Sequence, residues 1–184
     1  HAGNFTEWTL DENGNATAWT VHDEDGASDV EHEYEATYDN LNRRTKVIFP
    51  DSTFTQTTYD EAGRRLSERD QAGKLTQFRY DRLGRLVKVI DALNQETSYT
   101  YDELGNRLTQ KDANNHTTSF EYDKLGREVA RILPDGSSEA KAYDPLGNLA
   151  TRTDFLGRVT TYAYDINTRL TSRSAPCSSC EKAD

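Results

Sequence analysis

The sequence predicts an all-β fold: a repeat array of antiparallel β-hairpins, 21 residues per repeat, laid side by side in a coiled single-layer β-strip. Three observations carry this expectation. A tyrosine–aspartate pair recurs seven times, as Tyr38-Asp39, Tyr59-Asp60, Tyr80-Asp81, Tyr101-Asp102, Tyr122-Asp123, Tyr143-Asp144 and Tyr164-Asp165, each 21 residues after the last. A fixed period of this length marks a repeat architecture. Two turn signals fall within each period, and the stretches between them are too short for three turns of helix and rich in Thr, Val, Ile, Leu and aromatic residues.

Composition sets the outer bounds. The 184 residues suit one domain or a small array. The apolar share of 34% is lean for a compact globule, yet ten tyrosines and six phenylalanines remain to be buried. No run of about 18 apolar residues offers a transmembrane helix, and no basic segment followed by an apolar stretch reads as a signal peptide. The chain starts at His1 and stops as a seventh repeat completes, so we expect a piece of a longer polypeptide. The net charge of −10 lies at one end: residues 1–37 hold ten acids and no Lys or Arg, and the remainder is neutral. Without a basic stripe, nucleic acid is not an expected partner.

Residues 1–37 read as degenerate, acidic repeats or a cap, residues 38–175 as the repeat strip, and residues 176–184 as a tail. In the first segment, Asp11-Glu12-Asn13-Gly14 and Asp23-Glu24-Asp25-Gly26 resemble the repeat's turns without its tyrosine, and Ala16–Val21 reads as a strand between them. Trp8 and Trp19, the only tryptophans, are placed to cap the open end of an array, where repeats are atypical. Glu31, Glu33 and Glu35 alternate with His32 and Tyr34 and so share one strand face. Two readings stay open for them: a calcium site, or a solvated edge that discourages further strand pairing. The ligand spacing of a calcium-binding loop is missing.

One repeat shows the logic of the rest. In Tyr80–Asn94 the turn signals are Asp81-x-x-Gly84 and Asp91-x-x-Asn94. The Asp side chain accepts a hydrogen bond from a backbone N–H two residues on, the next two residues are right-handed, and the fourth takes a positive φ. That is a hairpin on a type I turn closed by a G1 bulge. The first turn keeps Gly63, Gly84, Gly105, Gly126 and Gly147, with Asn42 and Thr168 as exceptions; the second runs through Gly73, Asn94, Asn115 and Gly157, with Pro50-Asp51-Ser52 and Pro134-Asp135-Gly136 in the same register.

Alternation then assigns faces. Thr76, Phe78 and Tyr80 point one way, as do Thr97/Tyr99/Tyr101, Thr118/Phe120/Tyr122 and Thr160/Tyr162/Tyr164, while Gln77 and Arg79, Ser98 and Thr100, and Ala140 and Ala142 point the other. In-register stacking predicts aromatic ladders along the strip. The return strands are undecided, because Leu86 and Ile90 oppose Val87 and Val89 and make both faces apolar. Roughly fourteen strands at about 4.8 Å spacing make a ribbon on the order of 65 Å long, which must coil.

Tyr-Asp-x-Leu-Gly-Arg-Leu at this period resembles the YD repeats of rearrangement-hotspot (Rhs) proteins, closely over residues 38–175 and loosely over the first 37. Similar repeats occur in bacterial polymorphic toxins, wall-associated proteins, the shell-forming B and C components of insecticidal toxin complexes, and animal teneurins. The resemblance implies a strip that spirals into a hollow, cocoon-like shell, in the toxins around a C-terminal effector domain. It also implies a secreted or cell-surface bacterial protein. There is one departure. In many members the shell ends in a core segment, which in the toxins releases the cargo by aspartate-dependent self-cleavage. Tyr143-Asp144-Pro145-Leu146-Gly147 faintly resembles its opening, but the glycine-rich and asparagine–proline continuation is absent. Neither self-cleavage nor a cargo domain is assigned to this chain.

The remaining candidates for chemistry read as structure. Each turn aspartate is used by its own turn, and the arginine after it (Arg43, Arg64, Arg85, Arg127, Arg169) is placed to pair with a neighbouring turn aspartate. The four histidines form no metal or nucleophile spacing, so no catalytic, cofactor or metal residue is assigned and an enzyme is not expected. Cys177 and Cys180, after Pro176, suit a local disulfide or free thiols better than half a zinc site or a redox pair, which lack partners and a strand–helix context. Three Asn-x-Thr triplets, at Asn4, Asn15 and Asn115, read as coincidence in a bacterial protein. Two functions follow as expectations. The first is a structural shell segment, whose partners are other repeats of the same polypeptide and an enclosed effector domain. The alternative is an adhesion module whose exposed aromatic ladders bind surface glycans or a partner protein.

Overall fold

The computed structural model describes residues 5–25 and 28–175. Cys177 and Cys180 therefore lie outside the described residues. The chain divides into two compact units, His1–Glu96 and Thr97–Asp184. The first holds β1 (Phe5–Leu10), β2 (Ala16–Asp25), β3 (Ser28–Tyr38), β4 (Arg44–Ile48), β5 (Phe54–Tyr59), β6 (Arg65–Arg69), β7 (Leu75–Tyr80) and β8 (Leu86–Ile90). The second holds β9 (Glu96–Tyr101, starting at the boundary), β10 (Arg107–Lys111), β11 (Thr117–Tyr122), β12 (Glu128–Ile132), β13 (Ser138–Tyr143), β14 (Leu149–Thr153), β15 (Val159–Tyr164) and β16 (Leu170–Ser174). Within each unit every strand pairs antiparallel with its chain neighbours, for example β7 with β8 and β13 with β14. There is no helix among the described residues. The fold is all-β and follows the hairpin array.

The turns close as their chemistry requires. In the Asp81 turn, Gly84 N–H donates to the Asp81 carbonyl at 3.0 Å and Asp81 N–H to the Arg85 carbonyl at 2.9 Å, with Gly84 at φ +82°. Asn42 and Thr168 take the same place at φ 59°, and so does Ser52 at 65° in the proline-containing turn. The same closure occurs at Asp11, with Gly14 at φ +82°. It makes residues 5–25 the start of an eighth repeat, with Leu10 where later repeats have tyrosine. Asp11 and Asp39 are 28 residues apart, and the seven surplus residues lengthen the hairpin β2–β3, which pairs from Ala18↔Glu35 to Asp25↔Ser28. Asp23–Asp25 thus continue a strand and do not form the turn that their sequence suggests; strand pairing there outweighs a turn signal with no hairpin of period length to close.

A second bulge resolves the undecided return strands. Tyr80 pairs with Leu86, but Arg79 pairs with Lys88, so Val87 is left as the extra residue. Leu86 and Val89 accordingly share the face of Tyr80 and Phe78, while Lys88 and Ile90 share that of Arg79 and Gln77. The same shift follows Tyr38, Tyr59, Tyr122, Tyr143 and Tyr164.

Being one layer thick, each unit encloses little. Ala36 and Phe120, at 5% and 7% exposure, are the buried apolar residues among those described, and no side chain is fully buried. The expected continuous aromatic ladders do not form. Ring contacts run across β1–β3 and reach Phe49, with Trp8–Trp19 and Trp19–Tyr34 stacked at 5.6 and 5.1 Å and Tyr34–Phe49 edge-to-face at 6.0 Å between centroids. Farther along, aromatic strands of successive repeats are two strands apart, about 9.6 Å, and side chains of the return strand stand between them, Arg65 and Arg107 lying 5.0 and 4.4 Å from the Phe78 and Phe120 centroids.

These geometries make two substitutions informative. Gly84→Ala is expected to destabilise the chain by about 1–2 kcal/mol, because an L-residue is strained at that φ and its Cβ would come within 3.2 Å of Arg64 Nη1. Thr168→Gly should stabilise by about 1 kcal/mol, since a β-branched residue gives up the same strain. Urea midpoints of the two variants test both signs.

Candidate functional site

The repeated motif builds one arrangement along the strip, and its parts come from adjacent repeats. Aspartate acts inside its own turn. Asp81 Oδ1 accepts from the backbone N–H of Leu83 and of Arg85, both at 2.9 Å, while Oδ2 accepts from Arg85 Nε at 2.7 Å. Arg43 binds Asp39 and Arg64 binds Asp60 in this way at 2.6 Å, and Arg127–Asp123 and Arg169–Asp165 repeat it at 2.7 Å. The expected pairing with a neighbouring turn is thus corrected: each arginine pairs with its own turn's aspartate. The turn already brings the backbone of the fifth residue onto Oδ1, which leaves Oδ2 beside that residue's side chain. Asn106 and Asn148 fill the role with an amide, donating to Asp102 and Asp144 at 2.8 and 3.0 Å.

The arginine does reach the next repeat, by its ring-facing surface. The guanidinium of Arg43 lies 4.6 Å from the Tyr59 ring centroid, Arg64 4.9 Å from Tyr80, and Arg127 4.4 Å from Tyr143. Arg43 Nη1 also donates to the Asp60 carbonyl at 3.2 Å. The next turn's glycine sits under the same group: a Cβ on Gly63, Gly84 or Gly147 would meet the preceding arginine's Nη1 at 3.2–3.5 Å. Gly126 faces Asn106 instead, and nothing lies near Gly105.

Tyrosine points back to the repeat before it. The phenol of Tyr80 donates to the Arg65 carbonyl at 2.9 Å, Tyr122 to Arg107 at 3.0 Å, Tyr143 to Glu128 at 2.9 Å and Tyr164 to Leu149 at 3.1 Å, each 15 residues upstream. Tyr59 reaches Arg44 at 3.4 Å, and Tyr38 reaches Ala16 at 3.0 Å. Tyr101 ends β9 in the same register, opposite Arg107. The acceptors lie at the starts of return strands, where pairing to the following strand has stopped: β6 joins β7 only from Ser67 onward. The phenol satisfies a carbonyl that the ladder leaves over. Burial pushes the Tyr122 phenol above its ordinary pKa, and the neighbouring Glu128 adds to this.

Electrostatics follow the same parts. All seven motif aspartates titrate below the ordinary carboxylate range. For Asp81 the chief cause is the Arg85 backbone N–H; for Asp39 and Asp60 partial burial pulls upward and is outweighed by the N–H and guanidinium donors. In the second unit, Glu139 is buried between Arg152, whose Nε donates at 2.9 Å, and Lys141, which binds Glu128 at 2.6 Å. Burial raises the Glu139 carboxyl, and the two cations outweigh it and hold it low.

No three His, Cys, Asp or Glu side chains among the described residues come together as a metal site. Glu31 lies 3.7 Å from His22 Nδ1. Sequence reasoning missed the carbonyl reached by tyrosine and the ring covered by arginine. A signal existed for the second: arginine four residues after the aspartate stands 16 before the next tyrosine at Arg43, Arg64 and Arg127.

The fold and this inter-repeat arrangement define a protein built from stacked hairpins of one type. Its sequence matches the RHS repeat family model over residues 59–95, 80–114, 101–138 and 143–176, and the chain belongs to that family. No curated protein sequence matches the chain. Among solved structures it resembles the TcdB2–TccC3–Cdc42 complex, with a TM-score of 0.69 and 15% identity over 95% of this chain and 11% of that one. It also resembles the Photorhabdus luminescens Tc holotoxin pore, with a TM-score of 0.67 and 14% identity over 95% and 11%. For TcdB2–TccC3 the TM-score is 0.68 and the identity 15%, over 93% and 12%. The chain thus spans about a tenth of the length of these solved chains.

Two changes test the arrangement. Tyr80→Phe should cost about 1 kcal/mol, the worth of one hydrogen bond to a carbonyl left without another, and native-state hydrogen exchange should quicken in β6 and β7. The pH dependence has a definite sign. Carboxylates with lowered folded-state values stabilise fully above the unfolded value of about 3.9 and lose that contribution as pH falls through the folded values. Thermal midpoints should therefore change little from pH 7 to 5 and drop below about pH 4, and Asp81→Asn should shrink that drop.

Proposed function

We propose that this chain is a wall segment of an enclosing β-shell in a secreted or surface-displayed bacterial protein, and that the shell sequesters a toxin or effector domain lying outside the chain. The observation that supports this most is the fold match to the Tc toxin components across 95% of the chain. The burial pattern agrees: a sheet with two partly apolar faces and almost no buried core is suited to being a wall and not a free-standing globule. In this reading the chain is scaffold, with no catalysis of its own.

Surface adhesion is the second reading. It draws on the Trp8–Trp19–Tyr34 stack, where Trp8 is 59% exposed on an edge strand and presents a ring face to solvent. Elsewhere the rings of Tyr59, Tyr80 and Tyr143 lie under guanidinium groups, which leaves less face for a sugar.

The full-length polypeptide containing this segment tests both. Cryo-electron microscopy should show the strip closing around a cavity, and an effector domain inside should resist protease until the shell is opened. A flat ribbon, or a domain digested at the rate of its isolated form, would refute the shell. Adhesion predicts glycan-array binding that Trp8→Ala abolishes.

A further inference from the structure

We propose that a cationic recess on β14–β16 binds a carboxylate, and that the group it takes is a glutamate or aspartate side chain of another polypeptide. Strand pairing assembles the recess. Arg152 pairs with Thr160 across β14–β15, Tyr162 pairs with Arg173 across β15–β16, and Thr160 and Tyr162 stand two apart on one face. The Asp154 turn brings Arg158 to the rim, and the space between these residues is about 270 Å³. That is below the roughly 300–1,000 Å³ of a pocket for a drug-sized ligand and suits a single side chain. Two of the three arginines are already neutralised: Arg152 Nε donates to Glu139 at 2.9 Å, and Arg158 Nε to Asp154 at 2.7 Å. Arg173 meets no carboxylate among the described residues, and its guanidinium lies 6.0 Å from the Tyr162 ring centroid. One positive charge is left over. A monoanion balances it, whereas a phosphate group brings a charge of about −2.

The chain carries the filled form of this recess one repeat earlier. Arg173, Tyr162 and Thr160 stand one period of 21 residues after Arg152, Lys141 and Glu139. The register is the same, with Lys141 opposite Arg152 as Tyr162 is opposite Arg173. There the Glu139 carboxylate, 7% exposed, is bound by Arg152. In the next repeat threonine stands where that glutamate was, with no charge and too short a side chain to replace it, while the arginine is present without its acid. A guanidinium offers parallel N–H groups in a fork that matches a carboxylate. An incoming acidic side chain supplies what Thr160 lacks, and Glu139 shows that a glutamate carboxylate fits between strands of this register. The same precedent favours a protein side chain over an acidic sugar. The inference goes beyond both readings of function and stands if either fails.

Nuclear magnetic resonance titration of the full chain tests it, with the acetylated and amidated tripeptide glycyl-glutamyl-glycine as probe and the Tyr162 ring resonances as readout. A millimolar dissociation constant is expected, since one exposed ion pair is weak, and binding should fade at high salt. The glutaminyl tripeptide should not bind. Arg173→Gln should weaken binding of the glutamyl probe at least tenfold with an unchanged circular dichroism spectrum. Thr160→Glu, which builds the earlier repeat's arrangement into this one, should raise the thermal midpoint and abolish binding. A wild type that does not bind, either variant binding like the wild type, or a Thr160→Glu chain no more stable than the wild type overturns the site. Tighter binding of glucuronate or inorganic phosphate than of the glutamyl probe overturns the assigned occupant.

Discussion

The link from one repeat's turn to the next repeat's tyrosine is the constraint on which the strip depends. A two-stranded hairpin alone is marginal in water, and a one-layer sheet cannot offset that with a core. Stability must then come from the junctions between repeats, as in other quasi-one-dimensional proteins. At a junction such as Arg64–Tyr80–Arg65, a guanidinium covers the ring and the phenol bonds a leftover carbonyl. A cation over an exposed ring contributes about 0.5–1 kcal/mol, and a hydrogen bond of that kind about 0.5–1.5 kcal/mol. Neither is large, but the phenol bond recurs from repeat to repeat and the covered ring at Tyr59, Tyr80 and Tyr143, so the array gains repeatedly what a globule gains once.

The junction also explains why the aspartate matters beyond its turn. Free arginine carries many rotamers, and holding it over a ring costs entropy. Binding Nε to Asp Oδ2 fixes the guanidinium before it meets the next tyrosine, and glycine's missing Cβ leaves the space through which Nη1 passes. Turn closure, arginine placement and tyrosine packing are successive consequences of a single carboxylate. Where asparagine replaces arginine, at Asn106 and Asn148, the turn and the phenol–carbonyl bond survive without the cation, so the backbone part of the link suffices at those junctions.

What the sequence disclosed divides along the same line. Turns were legible because they depend on residues at fixed local offsets. Asn42 and Thr168 could be placed at positive φ even though one is a substitute for glycine and the other is β-branched. Contacts between repeats were less legible. A face assignment by strict alternation fails across Val87, since a bulge there shifts the period-2 pattern by one residue. The aromatic ladder failed because alternation says which rings share a face but not that a return strand, bearing Arg65 in β6, lies between them. The eighth turn, at Asp11, was visible as chemistry but hidden as period, because seven residues lengthen the hairpin that follows it.

Function follows from which positions the fold leaves free. Within Asp-x-Leu-Gly-Arg, aspartate fixes closure, glycine supplies the backbone angle and the space, and arginine serves the junction. The second and third positions are left free by the strip: the second runs through Glu61, Arg82, Lys124, Pro145 and Ile166, and the third through Asn13, Ala62 and Asn167. Both lie in the turn that follows the tyrosine in every repeat. A side chain there cannot help its own hairpin, but it can set what the strip lies against. In a one-layer sheet the turn edge can vary without disturbing the fold. Leucine at Leu41, Leu83, Leu104, Leu125 and Leu146 is exposed there, and alanine or asparagine at Ala62 and Asn167 closes the same turn equally well.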